Sequence, residues 1–400
     1  MSEKFPPSTF ILFSTADWAA PYWTNKQHVA DRLAKAGHRV LYIESPGIRP
    51  PQGNARDILR IANRLKRAWT PPKPINDNLW VFAPLTIPLG HRFALVKRFN
   101  AWLMRSVVGR WLDSHRQGDV IVWTYHPYIE GVTEGLSTGS LVYHCVDDLA
   151  AIPGVDAATF RAAEGKLVRQ AAVVFTTSPY LRRHCLELGA QNCVFERNVA
   201  DIEHFSAARQ SGRLPEDIAS IAGPKLCYLG VLSDYKLDLD LIEACGRARP
   251  DLSWIFIGDE PERQANATIA RLKTLPNMHF IGYRPYSELP DYLRAIDIAV
   301  LPNRTDGYMR GVFPMKFYEY LAAGKPVIST PIDALVDVSN LVATAEGRDQ
   351  WLAAIDECLS SPPGELSLDD SRLAQFGWDP RLERMLATVG DVQADRSVSI

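Results

Sequence analysis

Short runs of β-branched and aromatic residues alternate with helical stretches along this chain, and the alternation stops and starts again near residue 223. That rhythm is the pattern of a parallel sheet wrapped by helices. In the first half, strands are expected at 9–14, 39–44, 79–83, 120–125, 140–147, 172–178 and 193–198. The helix expected at 24–36 opens on Thr24 with Gln27 three residues on, a capping box, and closes at Gly37. In the second half, strands are expected at 225–230, 253–258, 278–283, 298–301 and 326–330, with helices around 238–248, 287–295 and 315–323. Residues 206–222 between the two series are polar and lack a strand signal, so a linker is expected there. The expected fold is therefore α/β: two facing Rossmann-like domains with a cleft between them, at 1–205 and 223–375. A short helix over 376–386 opens the C-terminal segment 376–400 and is free to return to the first domain.

Four hundred residues are too many for one ordinary core and suit two domains of ~150–200 residues. No apolar run approaches the ~20 residues of a membrane-spanning helix, and the first residues lack an apolar stretch of signal-peptide length. Cys145, Cys185, Cys193, Cys227, Cys245 and Cys358 are scattered without a CxxC pair. A soluble protein of the reducing cytoplasm is expected, with neither a zinc site nor a disulfide framework. Net charge is only −2, yet residues 48–118 hold thirteen Lys and Arg against three acids, a local +10. Such an excess points to an anionic partner. Within it, 57–69 places Ile58, Ile61, Ala62, Leu65 and Trp69 on one helical face, with Arg56, Arg60, Arg64 and Arg67 on an adjoining stripe. Residues 91–116 add Phe93, Phe99, Trp102 and Trp111 among six further cations. Apolar and aromatic residues beside Arg and Lys are the composition of a helix lying in a lipid interface. Peripheral attachment to the inner face of an anionic cytoplasmic membrane is expected; the alternative is that these stripes pack on the first sheet. No reading helix or RNA-stacking motif accompanies the charge, so nucleic acid is not an expected partner. Pro71, Pro72 and Pro74 read as a loop.

The segment 308–330, YMRGVFPMKFYEYLAAGKPVIST, reads as loop, helix, turn and strand. Pro314 suits a first helical position and Gly324 the turn that ends the helix. Arg310 and Lys316 beside the free N–H groups of a helix start would favour an anion. Glu319, just over one turn in, could accept hydrogen bonds from vicinal ribose hydroxyls; an ordinary amphipathic helix with a solvated Lys–Glu pair is the other reading. Residues 230–236 (GVLSDYK) pair a glycine that permits close backbone approach, Gly230, with Lys236, a point charge suited to a diphosphate. IGDE and FIGYR place Gly258, Gly282 and Tyr283 at two further strand ends. Ligands of open α/β sheets bind beyond the carboxyl ends of the strands, so these loops together point to a nucleotide. In the first half, His126 follows a strand and precedes Pro127, where it could bond a donor sugar or an acceptor hydroxyl, or be structural. Asp147 and Asp148 end another strand and could bind acceptor hydroxyls, act as a base or cap the next helix. Adjacent carboxylates on a strand point apart, so no bound metal is expected.

PMKFYEYLAAGKPVIST resembles the donor-site signature of GT-B glycosyltransferases of the large retaining family (group 1, family 4-like). The whole chain is similar to its bacterial surface-polysaccharide branch of teichuronic-acid type. WTNKQHVADRLAKAGHRVLYIE, WTYHP, YHCVDD, NVADIEHF and KLDLDLI carry that likeness. The resemblance implies the GT-B fold and transfer of a sugar from a nucleoside-diphosphate sugar to a lipid-linked or polysaccharide acceptor. It also implies retention, with no metal and no cofactor beyond the donor substrate. It makes Glu319 the ribose-binding glutamate and Lys236 a phosphate contact, with Lys316 and the backbone of Gly311, Val312 and Phe313 beside the pyrophosphate and sugar. Three positions depart from the family pattern. Gly311 stands where a glutamate is usual, Val231 where an arginine is usual, and WAAPYW at 18–23 replaces a glycine-rich turn. Arg310 could replace the charge missing at Val231. Two other readings share the fold: a degenerate nucleotide-sugar-binding partner subunit, and a non-hydrolysing nucleotide-sugar 2-epimerase.

Overall fold

The computed structural model describes residues 5–20, 22–45, 71–84, 94–129, 131–133, 139–259, 267–360 and 370–398. The chain forms two compact units, Met1–Arg197 with Leu382–Ile400, and Asn198–Arg381.

The first unit is built on an eight-stranded sheet: β1 (Thr9–Phe13), β2 (Arg39–Ile43), β3 (Lys73–Asn76), β4 (Leu79–Phe82), β5 (Val120–Thr124), β6 (Ser140–Cys145), β7 (Val173–Thr176) and β8 (Cys193–Phe195), in the order β3-β4-β2-β1-β5-β6-β7-β8. Every pairing is parallel except β3 with β4. The central strand β1 is buried along its whole length, as a strand covered on both faces must be. Side chains alternate across it: Ile11 and Phe13 join Leu41, Val122, Tyr143 and Cys145 in one apolar cluster, while the buried Phe10 and Leu12 face the other way. The helix Asn25–Lys35 begins with the expected capping box of Thr24 and Gln27. The stretch 71–74, expected as a loop, runs into edge strand β3. Pro74 is compatible with a strand there because an edge strand leaves one row of N–H groups unpaired.

The expected interfacial helix at 57–69 lies outside the described residues, as do the side chains of Phe93 and Phe99. In the helix Ala94–His115, Ala101, Met104, Val108 and Trp111 are buried, while Trp102 is 57% exposed. Trp111 is thus a correction to the lipid-facing set: its ring stacks on His115 at 5.0 Å and meets Trp80 edge-on at 5.4 Å. The i, i+3, i+7, i+10 spacing from Ala101 explains this, since it places Trp111 on the core stripe.

The second unit has a fully parallel six-stranded sheet: β9 (Lys225–Leu229), β10 (Ser253–Ile257), β11 (Met278–Gly282), β12 (Ile298–Leu301), β13 (Val327–Ser329) and β14 (Ala343–Thr344), in the order β11-β10-β9-β12-β13-β14. Cys227, Leu229, Ile255, Ile257, Ala299 and Leu301 fall in one core cluster, and Leu226, Tyr228, Trp254, Phe256, Ile298 and Val300 in another. The period of two thus covers both faces. Residues 206–222 are not a linker but part of this unit, forming Ala207–Arg209 and Glu216–Ala219 helical turns. Few apolar residues there suffice: Ala208 and Ile218 are buried in its core. Arg209 donates to the carbonyls of Ala322 (2.7 Å) and Leu321 (2.9 Å), closing the C-terminal end of a neighbouring helix. The final helix is also longer than expected, Trp378–Val398. The boundary between units falls inside it, after Arg381. Beyond that point Met385 and Val389 are fully buried, and Arg384 pairs with Glu196 of the first unit at 2.9 Å.

Candidate functional site

In the second unit the strand order reverses between β9 and β12, the switch point where open sheets receive ligands. Three glycines line the adjoining strand ends. Gly230 donates its N–H to Ile257 (2.9 Å), and Gly258 donates to Gly282 (2.9 Å). Gly258 has φ +147°, and a Cβ there would lie 2.1 Å from the Gly230 carbonyl oxygen. Only glycine allows the two loops to approach this closely. Beyond Gly230, the carbonyl of Lys236 accepts hydrogen bonds from Arg304 N (2.9 Å) and Asn303 Nδ2 (3.3 Å). The loops after β9 and β12 are thereby pinned together. The Lys236 ammonium lies 5.6 Å from the Tyr235 ring centre and 5.8 Å from that of Tyr308, and the two rings meet edge-on at 5.7 Å. These tyrosines were not singled out from sequence; their aromatic character beside a lysine is the signal available. Tyr283, just past β11, is 37% exposed.

The helix Lys316–Ala322 starts two residues later than Pro314 suggested, with Met315 as its cap. Pro314 lies ahead of the helix, and its carbonyl accepts from Phe317 N at 3.1 Å. Glu319 is 3% exposed, and both its oxygens accept from Lys316 Nζ, at 3.2 and 3.0 Å. This is a buried carboxylate beside a half-buried ammonium, not a solvated pair. The next residue fixes the helix to the switch point, since the hydroxyl of buried Tyr320 accepts from Leu229 N at the end of β9 (2.8 Å). Burial pushes that hydroxyl well above the usual tyrosine range, so it stays neutral. Ahead of the helix, Gly311 and Phe313 are buried, Val312 is half-buried and Arg310 is exposed. The Phe313 carbonyl accepts from Asn198 Nδ2 at 2.8 Å, and its ring stacks on Tyr318 at 5.5 Å.

In the first unit the order reverses between β1 and β5. His126 lies just past β5, buried, with its ring 6.3 Å from that of Phe13 at the end of β1. Its Nδ1 accepts from Tyr128 N at 3.2 Å, so a neutral ring carries its proton on Nε2. The two aspartates after β6 have different fates. Asp147 lies 3.6 Å from the ammonium of Lys26, a residue that sequence reading passed over because its partner is far away along the chain. Asp148 is buried and receives both oxygens' hydrogen bonds from Arg161 Nη2, each at 2.6 Å. Arg161 also donates to Glu164 (3.0 Å), which accepts from Tyr143 (2.8 Å) and sits 2.9 Å from His184 Nε2. Burial alone would raise the Glu164 carboxyl, yet hydrogen bonds from His184 and Tyr143, with the charges of His184 and Arg161, hold it below the usual carboxylate range. The geometry thus ties Asp148 into a buried network and leaves Asp147 part-exposed. Among the described residues no group of three or more His, Cys, Asp or Glu could hold a metal ion.

Residues 223–361 match the family described as Glycosyl transferases group 1, covering the second unit's sheet and the Lys316–Glu319 pair. Solved structures are similar to this chain over nearly its whole length. Sucrose-phosphate synthase from Thermosynechococcus elongatus superposes with a TM-score of 0.70 at 16% identity, covering 98% of this chain and 100% of that one. Anabaena Alr3699/HepE, solved in complex with UDP, gives 0.65 at 14% identity, covering 96% and 100%. The fold is GT-B, as in these solved structures, and residues 223–361 carry a group 1 glycosyltransferase domain. A sequence relative in Bacillus subtilis (strain 168) bears a name that assigns it to teichuronic acid biosynthesis, glycosyltransferase TuaH. It is 27% identical over 222 residues, 52% of this chain and 55% of the relative. The match spans about half the length of that curated relative.

Proposed function

We propose that the chain transfers a sugar from a nucleoside-diphosphate sugar, held by the second unit, to a hydroxyl of a lipid-linked or polysaccharide acceptor in cell-surface glycan synthesis. The observation supporting this reading is that the loop bearing Lys236 and the helix bearing Lys316 and Glu319 both adjoin the strands of one topological switch point inside the group 1 region. A buried carboxylate can accept from paired ribose hydroxyls, while two ammonium groups neutralise a diphosphate. UDP bound to the Anabaena neighbour supports a nucleotide donor here, and the name of the Bacillus relative supports a surface polysaccharide. Charge developing on the leaving diphosphate is stabilised by Lys236, Lys316 and Arg310, so transfer proceeds without a metal ion. The reaction retains anomeric configuration, and the leaving phosphate takes the acceptor proton. The first unit holds the acceptor, with His126 and Asp147 beside it, and the basic stretch at 48–118 keeps the protein on an anionic membrane surface.

The test is calorimetric titration of the full chain with a panel of nucleoside diphosphates, with and without EDTA, followed by assay of diphosphate release from nucleotide sugars in the presence of membranes. Binding that survives chelation and release that requires membranes are expected. Loss of all binding on chelation would overturn metal independence, and release that ignores added membranes would count against transfer.

A further inference from the structure

Lys26 is an unusual residue in an unusual place. It is the second residue of the helix Asn25–Lys35, where the positive end of the helix dipole disfavours a cation. Its side chain is only 7% exposed, and a desolvated ammonium needs a partner with good geometry. What it has falls short. Asp147 Oδ2 lies 3.6 Å away, beyond the ~2.7–2.9 Å of a charge-assisted hydrogen bond. The Tyr125 ring centre is 5.6 Å away. The Asp147 side chain is 21% exposed. Lys26 leads the helix after β1, Tyr125 follows β5 and Asp147 follows β6, so the three gather beyond the carboxyl ends of strands at the first unit's own switch point.

We infer that Lys26 and Asp147 form a hydroxyl-binding pair that recognises a neutral polyol, the ammonium donating to the hydroxyl oxygen and the carboxylate accepting its O–H. A hydroxyl is both acceptor and donor, so it bridges the two charges and gives Lys26 the close partner it lacks. A phosphate would satisfy Lys26 but be repelled by Asp147, so the pair selects the sugar part of an acceptor over an anionic part. This inference rests on the reading of the first unit as the acceptor-binding unit.

The probe is n-octyl β-D-glucoside below its micelle concentration, with octyl phosphate as the anionic counterpart, each titrated into the full chain and followed by saturation-transfer NMR. The wild type binds the glucoside in preference to the phosphate. Lys26→Met and Asp147→Asn each weaken glucoside binding about tenfold or more, the loss of one hydrogen bond to a charged group. The double variant loses no more than the worse single one. Lys26→Met melts at or above the wild-type temperature, because removing a poorly paired buried charge relieves desolvation; a merely structural lysine would lower it. Should Lys26→Met fail to fold, Asp147→Asn on its part-exposed side chain carries the test. Equal glucoside affinity in wild type and Asp147→Asn, no glucoside binding by the wild type, or tighter binding of octyl phosphate overturns the inference. Titration of the wild type with nucleoside diphosphates separates the two claims. Failure there with the glucoside results intact overturns the proposed donor site and leaves the pair standing.

Discussion

Glu319 places its carboxylate within reach of Lys316 because the two residues are three apart on one helix face, a local relation that a sequence displays directly. Glu319→Ala is expected to weaken nucleoside-diphosphate-sugar use by about 30- to 1,000-fold, the ~2–4 kcal/mol of a lost pair of charge-assisted bonds. The fold should survive, since Lys316 is 30% exposed and can rehydrate. Calorimetry and turnover on the variant check this, and wild-type values in both would dissolve the donor-site assignment. Tyr320, one residue on, was illegible in advance. Its tie to Leu229 joins positions 91 residues apart, and nothing in the composition of either segment marks the other.

At the scale of elements, strand ends and the helix Lys316–Ala322 together carry the candidate site. Gly258→Ala should destabilise the protein by several kcal/mol and abolish nucleotide binding, because the new Cβ would press on the backbone oxygen of Gly230 at 2.1 Å and the positive φ adds strain. Thermal melting with nucleotide titration reads both effects; a variant with wild-type melting would mean the loops can separate freely. The Glu164 network joins β6 to the helices Ala157–Gln170 and Pro179–Glu187. Because the folded Glu164 carboxyl titrates below its ordinary value, its contribution is present above that ordinary value and is lost as the pH falls through the lowered one. Glu164→Gln should cost about 2–3 kcal/mol at neutral pH and flatten acid destabilisation below about pH 4.5. Denaturant melts across that range decide it, and parallel wild-type and variant curves would assign the acid sensitivity elsewhere.

At the scale of the whole molecule, no described helix is long and apolar enough to cross a membrane; the attachment proposed above is by surface charge and inserted side chains. The exposed Trp102 and Arg98 on the helix Ala94–His115 favour a surface contact, whereas Trp111 belongs to the core. Each cation near an anionic surface adds about 1 kcal/mol, so half of the local +10 would hold the protein there. Co-sedimentation with liposomes should rise with anionic lipid, fall with salt, and drop at least about tenfold when Arg60, Arg64 and Arg67 become Glu. No sedimentation with anionic vesicles at low salt would return these residues to an ordinary solvated surface.

Sequence by itself determined the strand–helix rhythm, the restart near residue 223, the strand-end glycines and the Lys316–Glu319 pair. These are all written in periodicities and spacings of a few residues, where backbone geometry alone brings side chains together. Tertiary structure decided the rest. It drew 206–222 into the second core through Ala208 and Ile218, and made 71–74 run into an edge strand. It also gave two adjacent aspartates opposite surroundings, Asp148 bound by Arg161 and Asp147 facing Lys26. The reason is one of range. Which loops meet is set by strand order in the finished sheets, and the partners it brings together lie too far apart along the chain for any local pattern to record.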